Sequence, residues 1–228
     1  MPVSAIIVAG GKGIRMGGAV RKQYMTLGER PVLGHTLAVF DAHEEIDKIF
    51  LVIPKDDFDF CREILSSLRL RKEAVPVSGG AARQDSVYNG LVAAEGTCDI
   101  VLIHDAVRPF VSAEQITACI SGARECGACI PGLPVHDTLK QITEGDYIEK
   151  TLDRETVWLA QTPQAFQYDL IRNAHEIAKK QGYTGTDDAS LLERLGKKVK
   201  IISGSRYNIK ITTREDMKLA KAILEFFQ

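Results

Sequence analysis

Residues 5–25 read AIIVAGGKGIRMGGAVRKQYM: an apolar run, then five glycines interleaved with Lys12, Arg15, Arg21 and Lys22. Glycine lets a backbone approach phosphate oxygens closely, and arginine can grip two such oxygens while lysine acts as a point charge. The pattern suits chemistry at phosphorus. Arg15 and Lys22 are the candidates for neutralising charge, with amides from Gly11 to Gly13 as a phosphate cradle. Two better-known glycine loops do not fit. The dinucleotide fingerprint G-x-G-x-x-G needs a glycine where this chain has Met16. The phosphate-binding G-x-x-x-x-G-K-[ST] fails because no glycine is followed by Lys and then Ser or Thr. A turn whose four cations face water is the plain alternative.

Two further stretches carry groups of the right kind. Asp105 ends the run IVLIHD, and a carboxylate at a strand end can hold Mg²⁺ together with phosphates, or simply cap a turn. SGGAARQDS, from Ser78 to Ser86, offers main-chain groups at Gly79, Gly80 and Ala81, with Arg83 and Ser86 close by. The same stretch also suits a capped helix start near Ser86.

The elements that must position these residues are legible in the apolar pattern. β-rich runs at Ala5–Ala9, Ile49–Ile53, Ala74–Val77, Ile100–Ile103 and Ala128–Val135 alternate with helical spacings. Leu33, Thr36, Leu37 and Phe40 form one helical stripe. Ile116, Cys119, Ile120 and Ala123 form another, preceded by Ser112 and Gln115 in capping-box register. This alternation predicts an α/β fold, a doubly wound and mainly parallel Rossmann-like sheet covered on both faces, in a single domain spanning 1–228. The glycine loop would then lie at the carboxyl end of the first strand, where such sheets bind ligands. Residues 137–155 break the rhythm. Their mixed polarity around Glu144-Gly145-Asp146 predicts a β-hairpin arm, and an isolated hairpin needs something to dock on. A second copy of the chain is the expected partner. Helical patterns return at Tyr168–Gln181, Asp188–Leu195 and from Thr213, with a strand at Val199–Ile202 between the last two.

Composition narrows the classes. The chain has 228 residues, 45% of them apolar, which is ample for a sizeable core. Its 29 basic and 30 acidic side chains leave no global field to attract nucleic acid or an anionic membrane, so neither is an expected partner. Any anion must be captured locally. Cys61, Cys98, Cys119, Cys126 and Cys129 are odd in number and lack the paired spacing of a zinc site, so reduced and mostly buried thiols are expected. The leading apolar stretch is too short for a signal peptide or a span, which points to the cytoplasm.

The stretch VAGGKGIRMG followed by KQY resembles the signature of nucleotidyltransferases that join a nucleoside monophosphate to a phosphorylated alcohol or sugar. More narrowly, the chain is similar to the 2-C-methyl-D-erythritol 4-phosphate cytidylyltransferase family. Six further motifs occur in that family's order: SGGAARQDSVYNGL, IHDAVRPF, PVHDTLKQ, TLDRETVWLAQTPQAF, GTDDASLLE and NIKIT. The resemblance implies transfer of CMP from CTP to methylerythritol phosphate, with Mg²⁺ and with release of pyrophosphate. It implies that Ala9, Gly10, Gly11, Lys12, Gly13, Gly79, Gly80, Ala81, Arg83 and Ser86 bind CTP. Arg15, Lys22 and Lys210 would be catalytic. Asp105, Arg108, Thr138, Arg154, Thr162 and Thr186 would bind the acceptor, and Asp105 the metal. Arg154, at the end of the arm, would reach a partner's site in a homodimer. Ala81 and Ala82 depart from the family, which often has acidic residues there. A ribitol 5-phosphate cytidylyltransferase shares the opening loop and HDAVRP; the placing of Arg154 after Leu-Asp favours the first reading.

His104 is expected to be buried and structural beside Asp105, and Trp158 to pack at the base of the arm. The reaction needs no general base. An acceptor phosphate with a second pKa of about 6 is already an anionic nucleophile, so positioning and charge neutralisation should carry the catalysis.

Overall fold

The computed structural model describes residues 1–11 and 21–227. In chain order these form β1 (Val3–Val8), the short β2 (Thr26–Leu27) and β3 (Arg30–Pro31), α1 (Val32–Ala42), β4 (Lys48–Ile53), α2 (Phe58–Leu68), β5 (Ala74–Ser78) and α3 (Arg83–Ala93). There follow β6 (Ile100–Asp105), α4 (Ala113–Cys126), β7 (Ala128–Pro134), β8 (Lys140–Ile142), β9 (Ile148–Thr151), β10 (Trp158–Ala160) and β11 (Gln164–Gln167). The chain continues through α5 (Tyr168–Lys180), α6 (Asp188–Arg194), β12 (Lys200–Ser203) and α7 (Arg214–Phe226).

β1, β4 and β6 are apolar on both sides because both sides are covered. Along β1, Val3, Ala5 and Ile7 pack with α1, α2 and α4, while Ile6 packs with α3, α5 and α6. That is the doubly wound arrangement that the alternation predicts. The sheet order is β10-β7-β11-β6-β1-β4-β5, with β12 also on β7. β1, β4, β5 and β6 run parallel, so their carboxyl ends line one edge. From β1 the chain proceeds outward to β4 and β5, then returns to place β6 on the other flank of β1. A crevice opens where the strand order reverses, and there such sheets take ligands.

One departure from the expected pattern matters for the site. β11 is inserted antiparallel between β6 and β7, and β10 pairs antiparallel with β7. β11 is the sequence QAFQ, too short and too polar at its ends for its apolar pattern to announce a strand. It brings Thr162 and Gln164 beside the end of β6.

The arm is present as a β8–β9 hairpin with Gly145 and Asp146 at positive φ in its turn. All seven of its strand residues are exposed. Trp158 pairs with Pro134 where the arm leaves the sheet and stays partly exposed. Cys61, Cys98, Cys119 and Cys129 are buried free thiols, and Cys126 is exposed. Among the described residues no helix is long and apolar enough to cross a membrane.

Candidate active site

At the crevice, a cleft of about 320 Å³ is lined by the ends of β1 and β6, the 3₁₀ turn at Lys22–Tyr24, the loop before α3 and the segment before α7. Ala9, Gly10, Gly11, Lys22, Gly80, Ala81, Arg83, Ser86, Asp105 and Lys210 all face it. The sites expected at Lys12, Gly13 and Arg15 lie outside the described residues.

The loop between β5 and α3 is held by one hydroxyl. Ser86, 2% exposed, accepts from the Gly80 N–H at 3.0 Å and donates to the Ala82 carbonyl at 3.0 Å. Asp85 caps the helix by accepting from the Ala82 N–H at 3.0 Å. At Gly80 the packing demands glycine, since a Cβ would lie 2.3 Å from Asp85 Cβ; at Gly10 a Cβ would be tight, 3.0 Å from Ser86 Oγ. The Gly79 N–H is engaged as well, by the Ile53 carbonyl at 2.7 Å. This loop therefore offers a ligand its carbonyls and the Ala81 N–H more than a row of free amides.

Asp105 is the centre of the charged wall. It ends β6, is 5% exposed, and takes Arg83 Nε at 3.0 Å on one oxygen and Lys210 Nζ at 2.8 Å on the other. Arg108 Nε stands 3.6 Å from that second oxygen. Burial alone would raise the carboxyl's pKa; Arg83, Lys210 and Arg108 outweigh it and hold it far below the ordinary carboxylate range. Lys210 is delivered there by its neighbours. Ile211 is buried with its N–H on the Val107 carbonyl at 2.9 Å, and Asn208 is buried with its amide on the Thr162 carbonyl at 2.8 Å.

Arg83 spans two carboxylates, since its Nη1 also donates to Asp188 at 2.8 Å. Burial lowers its pKa, yet Asp188 and Asp105 more than reverse this, so it is always charged. Among the described residues that line the cleft or bond to its lining, Lys22, Arg83, Arg108 and Lys210 outnumber Asp105 and Asp188 by two charges. A wall of that kind can hold polyanions and stabilise charge that migrates between phosphates.

A buried network braces Asp105 from behind. The His104 Nε2–H donates to the Arg108 carbonyl at 3.1 Å, so Nδ1 accepts from the Thr162 hydroxyl at 2.9 Å. That hydroxyl in turn accepts the Asp105 N–H at 3.2 Å. Burial pulls the His104 pKa down to about 4, consistent with a neutral, structural ring.

A sequence model of the 2-C-methyl-D-erythritol 4-phosphate cytidylyltransferase family matches residues 3–226. The chain belongs to that family. A relative of that name from Syntrophotalea carbinolica is 52% identical over 99% of this chain and 97% of its own. Another, from Geobacter metallireducens, is 48% identical over 99% and 98%. Among solved structures, the 4-diphosphocytidyl-2C-methyl-D-erythritol synthase of Anaerococcus prevotii superposes with a TM-score of 0.89 at 38% identity, covering 98% of this chain and 96% of that one. The 2-C-methyl-D-erythritol 4-phosphate cytidylyltransferase of Thermus thermophilus gives 0.79 at 34% identity, covering 99% and 100%.

The residues that the cytidylyltransferase motifs single out are placed in different ways. Lys22, Arg83, Ser86, Asp105 and Lys210 converge on the cleft. Arg108 lies directly behind it, 12% exposed in its side chain, with Nη1 on the Asn208 carbonyl at 2.7 Å. Thr162 is buried, its hydroxyl used by His104 and Asp105. Thr138, Arg154 and Thr186 are exposed and lie outside the cleft lining. Arg154 Nη1 closes the base of the arm on the His136 carbonyl at 2.6 Å. Sequence reasoning passed over Asp188 and His175, both buried. The signal for His175 was present: it sits on the apolar stripe of α5 with Ile171, Ala174 and Ala178, where a polar ring needs a buried partner.

Proposed function

We propose that the cleft at the end of β6 performs the reaction of its family: CMP is transferred from CTP to 2-C-methyl-D-erythritol 4-phosphate, and pyrophosphate leaves. The observation that supports this most is the set of cations gathered on Asp105 opposite the glycine segment after β1. The acceptor phosphate attacks the α-phosphorus in line, and the barrier is the meeting of two anions. Lys22 and Lys210 neutralise the α-phosphate and the departing pyrophosphate, together with Arg15. Main-chain groups of Gly79 to Ala81 read cytosine. Their engaged N–H groups suit them to accept from its exocyclic amine, with the Ala81 N–H as a donor.

A divalent cation belongs to this reading. Asp105 is the carboxylate on the cleft, and among the described residues no cluster of three or more His, Cys, Asp or Glu could cage a metal. One carboxylate beside a triphosphate fits Mg²⁺, which commonly binds through one or two carboxylates plus substrate phosphates. When bound there, it would draw charge from the phosphate oxygens. Lys210 sits on one Asp105 oxygen at 2.8 Å, so a cation held there would share that carboxylate with it.

A homodimer through residues 137–155 completes the site. Ile142, Tyr147 and Ile148 expose 56%, 76% and 63% of their surfaces on an arm with no core of its own, which supports a second copy as its partner. Arg154 and Thr138 then serve the partner's acceptor. The five free thiols suit the cytoplasm.

The reading is tested by offering purified protein CTP and Mg²⁺ with methylerythritol phosphate or with ribitol 5-phosphate, and following pyrophosphate. Release with the first and little with the second is expected. The reverse preference would overturn the acceptor assignment.

A further inference from the structure

We propose that Asp188, backed by His175, is a positioning residue for nucleotide binding: it clamps the Arg83 guanidinium so that its remaining N–H groups face the cleft. This rests on Arg83 being a nucleotide contact. Arg83 is the first residue of α3 and lines the cleft, whereas Asp188 is the first residue of α6 and does not line it. The two meet across 105 positions of sequence. Nε of Arg83 goes to Asp105 at 3.0 Å and Nη1 to Asp188 at 2.8 Å, so the guanidinium plane is fixed by two anchors. Three of its five N–H bonds are left for a ligand.

Asp188 is itself held at every polar atom that bears on this. Its Oδ2 takes Arg83, and its Oδ1 takes His175 Nε2 at 3.1 Å, with both side chains 1% exposed. The partner is an acceptor only, so His175 Nε2 is the donor. The Asp188 backbone N–H donates to Gln164 Oε1 at 3.1 Å, an oxygen that also accepts from Ala189 N, while Gln164 Nε2 grips Asp187 at 2.7 Å. Such a carboxylate cannot turn towards solvent. Burying a charge this deeply is costly unless it is fully partnered, and here the partnering fixes a cleft residue. Arginine has a long flexible stem; with Nε and Nη1 anchored, it gives up rotamer freedom before the nucleotide arrives. Arg83 thereby takes one Asp105 oxygen through Nε alone, and Lys210 takes the other.

The test is a kinetic double-mutant cycle on the full-length protein with Asp188→Asn and Arg83→Lys, a lysine being unable to bridge both carboxylates. Asp188→Asn should raise KM for CTP on the order of tenfold or more, as small misplacements do. KM for the acceptor should stay within about twofold. The double variant should be no worse than the poorer single, since each removes the same clamp. A purely structural Asp188 would instead give additive losses and raise both KM values together, which overturns the proposal, as would an unchanged KM for CTP in Asp188→Asn. Where Asp188→Asn does not fold, His175→Phe removes only the donor behind the carboxylate. It should raise KM for CTP several-fold, and no change overturns the proposal. Arg83→Ala separates the two layers: unchanged KM for CTP there refutes Arg83 as a nucleotide contact and the clamp with it. A raised value beside a normal Asp188→Asn refutes the clamp alone.

Discussion

The cluster around Asp105 and the hairpin arm carry the two halves of the motif set, and they are built in opposite ways. Around Asp105, contacts join Arg83, Asp188 and Lys210 from separate elements, and the groups are buried or pinned on both sides. In the arm, Lys140 meets Thr151, Gln141 meets Glu149 and Arg154 meets His136, all within 18 positions of each other and all exposed. The core sets the geometry of the first, so its charged groups are fixed by contacts within one chain. The second has only its own ladder, and a two-stranded ribbon is marginal without something to pack on. Its residues acquire a fixed place only from another surface.

The largest effect should come from the cluster. Lys210→Ala removes a charge aimed at the reacting phosphates and is expected to lower kcat about 10²- to 10³-fold with the melting temperature little changed. Near-normal turnover would detach the cluster from the chemistry. Next is the arm. A chain lacking residues 139–151 should sediment as a monomer, and Arg154→Ala chains mixed with Lys22→Ala chains should regain activity neither shows alone. A dimer that survives the deletion, or no rescue in confirmed heterodimers, would place the arm outside the site. The smallest effect concerns stability and separates the regions most cleanly. The folded His104 pKa of about 4 lies below the unfolded value of about 6.5, so the unfolded state binds more protons between those values. Stability of metal-free protein should therefore rise with pH across that window, by roughly 3 kcal/mol in all from this group. His104→Gln should flatten the rise in urea titrations, and deleting the arm should not.

Much of this was readable along the chain. Strand runs such as IVLIHD are unbroken apolar stretches suited to a sheet covered on both faces, and stripes such as Leu33, Leu37 and Phe40 follow the helical period of 3.6 residues, so both announce their elements locally. Glu144-Gly145-Asp146 marks the arm's turn, and the helix expected from Thr213 is α7, opened by a capping box of Thr213 with Asp216. β11 escaped because QAFQ has no period long enough to read; only pairing with β6 and β7 makes it a strand.

From sequence alone came the α/β alternation, the arm, and the residue types at the ends of strands from which a phosphate-handling site could be made. Only the tertiary structure decided which charges share a carboxylate, that Ser86 spends its hydroxyl on its own loop, and that Asp188 and His175 stand behind Arg83. The physical reason is range. Secondary structure follows from short-range steric and hydrophobic patterning, whereas the meeting of Arg83 with Asp188 depends on strand order and on how α3 and α6 pack on one face of the sheet.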